Sequence, residues 1–157
     1  MIAESRETFS LNAANPETAL AFLHDPARAL SKVRFLRELH VSGPEVRGVL
    51  TVTLPMLGEV TLPFFSVLET NPQGAVLRPQ PLDGERAWLE VAGEGTLSGH
   101  QLTYLFVFRA HLDTPTAEKW GSAAFEKMVQ AAATRTMARV SRELPQAVAA
   151  ALAAGDG

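Results

Sequence analysis

From about residue 35 to residue 112, apolar and polar positions alternate with a period of two, the mark of strands that bury one face. The alternation and its breaks predict strands near 35–41, 45–54, 60–70, 74–78, 86–97 and 101–112, with a further one near 6–12. Turn formers separate them: Ser42-Gly43-Pro44, Leu57-Gly58, Asn71-Pro72-Gln73-Gly74, Asp83-Gly84 and Ser98-Gly99. The short turn at Ser98–Gln101 sets Leu97 opposite Leu102, so Val91 faces Phe108 and Gly93 faces Phe106. On the other face the same register pairs Glu90 with Arg109 and Trp88 with His111, an exposed cross-strand set.

Three helix starts share one form, a capping residue followed by proline: Asn15-Pro16, Asp25-Pro26 and Thr114-Pro115. The capping oxygen accepts a backbone N–H, and proline at the first helical position loses no bond it would have made. The first two predict short helices over 16–23 and 26–34. The third predicts a long helix to about Leu144, where Pro145 should kink or end it. Phe125, Met128, Val129, Ala132, Thr136, Val140 and Leu144 form its apolar stripe. Residues 1–145 read as one domain, and 146–157 as an alanine-rich extension, partly disordered. The fold class is α+β: a curved seven-stranded antiparallel sheet and a long C-terminal helix, with two short helices between the first and second strands.

Composition narrows the chemistry. At 157 residues, with 46% hydrophobic and 20% charged, the chain suffices for one core without staples. A net charge of -3 and the lack of a basic run interleaved with aromatics speak against nucleic acid. Zero cysteines removes disulfides, thiolate metal sites and cysteine nucleophiles, and suits a reducing compartment. No apolar run of signal-peptide or membrane-spanning length occurs, so a cytoplasmic location is expected.

His24, His40, His100 and His111 have neither helical nor hairpin ligand spacing, and no metal or cofactor is expected. Gly93-Glu94-Gly95 lies inside a strand and opens no helix; its glycines should make room for Phe106 and Tyr104. No serine sits in a nucleophile elbow, so no catalytic residue is assigned. Glu90 would serve as an acid only if the faces were reversed. Arg135, Arg139 and Arg142 align on one side of the last helix; they could grip a phosphate or lipid headgroup, or simply complement the dipole of a helix ending near Leu144.

The element order, with segments such as HDPARALSKV and QLTYLFVFRAHLDTPTAEKW, resembles the START-like superfamily, which includes Bet v 1, polyketide cyclases and a family of carbon-monoxide-dehydrogenase subunits. The resemblance implies a helix-grip fold with a cavity between sheet and helix. Fold does not select a chemistry. A carrier of an apolar small molecule or lipid is the expectation, with a ligand site of Phe64, Leu89, Val91, Tyr104, Phe106, Phe108, Phe125, Met128 and Val129. A cyclase or dehydratase using the same cavity, with Tyr104 or an inward carboxylate as acid or base, is an alternative. Another is an interaction module with a filled core, a homodimer through the outer face near Leu105 and Val107.

Overall fold

The structure, a computed structural model, describes residues 2–54, 56–112 and 123–156. Seven strands, β1 (Ile2–Asn12), β2 (Leu36–Ser42), β3 (Glu45–Leu54), β4 (Gly58–Asn71), β5 (Gly74–Pro79), β6 (Ala87–Ser98) and β7 (Gln101–Leu112), form one antiparallel sheet in the order β1-β7-β6-β5-β4-β3-β2. The described helices are α1 (Pro16–Leu23), α2 (Pro26–Ala29) and α3 (Ala123–Asp156). This is the expected helix-grip arrangement.

Register follows the side-chain alternation. Leu97 pairs with Leu102, Val91 with Phe108, Gly93 with Phe106 and Glu90 with Arg109. In β7, Leu102, Tyr104, Phe106, Phe108, Ala110 and Leu112 are all buried, so the concave face carries the core. β1 starts at Ile2 rather than near residue 6, because β7 is long enough to template it as far as His111. A β-carbon on Gly93 would stand 3.2 Å from the Phe106 ring, and one on Gly95 would run into Leu23 of α1. Those glycines let side chains from a strand and a helix lie on bare backbone.

Both described caps form: Asn15 Oδ1 accepts from the Thr18 N–H at 2.8 Å, and Asp25 Oδ1 from the Arg28 N–H at 3.2 Å. The Thr114-Pro115 cap lies outside the described residues. α2 ends at Ala29, not near residue 34. The Ser31 hydroxyl donates to the Arg28 carbonyl, and the Val33 N–H bonds the Leu30 carbonyl in a turn that delivers Val33 and Phe35 to the core.

The largest departure is at Pro145, where α3 continues as far as Asp156. Interior proline costs a helix about 3 kcal/mol. Against that, Val148 and Leu152 are buried beyond it, each contributing roughly 1.5–3 kcal/mol, and the surrounding alanines are the best helix formers. The helix thus continues beyond Pro145, and Val148, Ala151 and Leu152 join the core. Met128 is the second departure. The buried stripe runs through Phe125, Val129, Ala133, Met137, Val140 and Leu144, and Met128, about 100° around the helix from Val129, is 48% exposed.

Two substitutions separate these positions. Val148→Asp should lower the unfolding free energy by several kcal/mol, whereas Met128→Asp should stay within about 0.5 kcal/mol of the parent. Urea unfolding midpoints of both variants check this; equal midpoints would show that the end of α3 is not seated.

Candidate functional site

Eight of the nine residues expected to bind ligand meet in one core: Phe64, Leu89, Val91, Tyr104, Phe106, Phe108, Phe125 and Val129 are buried, and Met128 is not. The aromatic rings fill much of that space. Phe9 stacks on Tyr104 at 5.4 Å, Tyr104 on Phe106 at 5.5 Å and Phe106 on Phe108 at 6.0 Å, while Phe22 meets Tyr104 edge-on. The void left beside Tyr104 and Phe106, under Leu23 and Leu30, is about 40 Å³. Small-molecule pockets occupy roughly 300–1,000 Å³.

Among the described residues Tyr104 carries the one orphaned group there: its hydroxyl is buried with no hydrogen-bond partner among them. Burial pushes its pKa well above the ordinary value. Two other polar groups inside the sheet are satisfied, Ser66 donating to the Val91 carbonyl at 2.7 Å and Ser5 bonding Ser141 of α3.

A much larger space lies at another margin of the same core, beyond Phe35, which meets Phe108 edge-on. β2 pairs with β3 only as far as Leu36 opposite Leu50, so among the described residues Thr51–Leu54 run on as a free edge. Between α3 and the segment 31–37, with Thr51 at the start of that edge, opens a cleft of about 790 Å³, lined by Val33, Phe35, Ala147 and Ala150 with Arg37, Thr51 and Arg139. A second hollow of about 390 Å³ shares Arg37, Thr51 and Arg139 with it and adds Arg135, Arg142 and Glu59. A bulge between Arg37 and His40, with Glu38 at a φ of 54°, bends β2 beside the opening. None of the nine expected ligand residues lines this cleft. The sequence signal for it was the arginine face of the last helix; the strand partner Arg37 carried none.

The convex face is polar around β1 and β7. Arg109 donates to Glu4 at 2.9 Å and stands 3.8 Å from Glu90, whose closer partner is His111 at 2.8 Å. The Trp88 and His111 rings stack at 4.1 Å. Register thus opposes Glu90 and Arg109 as expected, and exposure leaves such pairs about 0–1 kcal/mol. Leu105 and Val107 are half-buried on this face, beside a shallow hollow of about 220 Å³ with Val76 and Ala92. His24 Nε2–H donates to the carbonyls of Asn71 and Gly74 at 3.0 and 2.8 Å, tying α1 to the β4–β5 turn. Among the described residues no three metal-ligating side chains converge, and no helix is long and apolar enough to cross a membrane.

The Tyr104 pKa has a consequence for stability. The folded protein keeps the proton where the unfolded chain, with a pKa of about 10, has lost it. The stability it contributes is therefore complete below about pH 10 and falls as pH rises further. Tyr104→Phe should differ from the parent by under about 1 kcal/mol near neutrality, then gain on it above pH 10 by up to about 1.4 kcal/mol per unit. Denaturant unfolding at a series of pH values checks this. As the chain has one tyrosine, its ultraviolet titration reads this group alone.

Comparison with known proteins places this geometry. No curated protein matches the sequence. Among solved structures, TTHA0849 from Thermus thermophilus is similar with a TM-score of 0.57 and 14% identity, over 99% of this chain and 100% of that one. The Zhui aromatase/cyclase from Streptomyces sp. R1128 gives 0.56 at 13% identity, over 99% and 94%. A START superfamily protein from Mycobacterium smegmatis gives 0.54 at 9% identity, over 95% and 96%. At such identities the likeness concerns the fold, which is START-like. Residues 8–142 match a family model, and the chain belongs to the family described as Protein of unknown function (DUF3809).

Proposed function

We propose that this protein is a binding or carrier protein for a small molecule, which it takes in the cleft between α3 and the segment 31–37, beside Thr51 of β3. The observation that carries the reading is the cleft itself: at about 790 Å³ it falls in the size range of ligand sites, while the aromatic core leaves only about 40 Å³. The START-like fold of its neighbours supports a site between helix and sheet. Affinity would come in part from burial against Ala147 and Ala150, the cleft's accessible apolar side chains, so the ligand has an apolar part.

An acid–base reaction in the core is less well supported. It would call for two buried ionisable groups within reach, and among the described residues the core offers Tyr104 alone. An interaction module is the second reading, favoured by the small internal void and the apolar hollow at Leu105 and Val107.

Ala150 lines the cleft from an exposed position, so Ala150→Trp should fill it and change the unfolding free energy by no more than about 0.5 kcal/mol. The parent should bind Nile red saturably, and the variant several-fold more weakly. Native mass spectrometry of the purified protein tests for a carried ligand. Absence of saturable binding, with a concentration-dependent dimer in light scattering, would overturn the carrier reading in favour of the interaction module.

A further inference from the structure

The cleft is charged as well as large. Lys32, Arg34, Arg37, Arg135, Arg139 and Arg142 line its two hollows, six of the 14 Lys and Arg of a chain whose net charge is -3. Against them stand only Glu143 and Glu59 among the described lining residues. Arg37, Arg135, Arg139 and Arg142 form no ion pair with any described residue, although the chain carries more acids than bases.

Helix electrostatics does not account for them. Cations favour the C-terminal end of a helix, but the effect falls off within the last turn. With α3 running to Asp156, Arg142 lies several turns from that end, and the last turn holds no basic residue. Spacings of four, three and seven residues instead put the three arginines on one face, where like charges repel one another and destabilise the helix. An anion bound among them removes that repulsion. Arginine also presents a planar fork of donors matched to phosphate and carboxylate.

Next to this cationic wall, the same cleft is apolar at Val33, Phe35, Ala147 and Ala150. We infer that the ligand is an acidic amphiphile: its phosphate or carboxylate group is held by Arg37, Arg135, Arg139 and Arg142, and its apolar chain or ring lies along the other end of the cleft. The inference rests on the carrier reading and adds the chemical class of its ligand.

Calorimetric titration of the full chain with decyl phosphate, decanoate, decanol and inorganic phosphate, all below micelle-forming concentrations, tests it. The two acidic amphiphiles should bind one per chain, at least about tenfold more tightly than decanol or inorganic phosphate, and more weakly as sodium chloride is raised. Arg135→Gln/Arg139→Gln should lose about tenfold or more for decyl phosphate and leave decanol unchanged, with circular dichroism and unfolding midpoint retained. Arg78→Gln, on the convex face, should change nothing. Equal binding of decanol and decyl phosphate would overturn the anion assignment and leave the carrier reading standing. Inorganic phosphate as tight as decyl phosphate would overturn the apolar half. If none of the four binds, both readings fall.

Discussion

A sheet curved enough to bury Leu102, Tyr104, Phe106 and Phe108 on its concave side has an open mouth, and α3 is what closes it. The helix packs against β1 at one flank of the sheet and β3 near the other, through Phe125, Val129, Ala133, Val140 and Leu144. Each large apolar side chain in that stripe contributes roughly 1.5–3 kcal/mol on burial. This seat also fixes the length of α3. A helix stopped at Leu144 would remove one of the neighbours of α2, since Arg28, which lies over the Phe22 ring, donates to the Leu152 carbonyl at 3.4 Å.

The same seat divides the interior unequally. Where α1 lies over β5, β6 and β7, Leu23 drops onto Gly95 and the aromatic ladder closes the space. Where β2 stops short of the end of β3, no described strand pairs with that edge, and a gap to α3 stays open beside Thr51.

Much of the fold was legible in local pattern. Register between β6 and β7 followed from one short turn and the matching of faces, and the caps at Asn15 and Asp25 from residue type. Pro145 misled because its local cost is certain while the compensating burial of Val148 and Leu152 is set by what α3 meets in space. The site was less legible. Alternation correctly sent Val91, Tyr104 and Phe106 inward, but whether inward residues enclose a void depends on ring stacking and sheet curvature, which periodicity does not carry. Arg135, Arg139 and Arg142 were visible as one face, yet their meaning changed once the helix end moved to Asp156.

β2 forms one border of the sheet, and its irregularity bears on association. An exposed, regular border strand offers unpaired amides and carbonyls to any other chain, the usual route to intermolecular sheet growth. Here Glu38, in the left-handed region, interrupts the ladder between Arg37 and His40, and Arg37, Glu38 and His40 are all exposed. A second copy laid alongside would meet a kinked backbone and charged groups that it could desolvate only at a cost. Along β2, the kink and the charges together make that border a poor template for fibre growth.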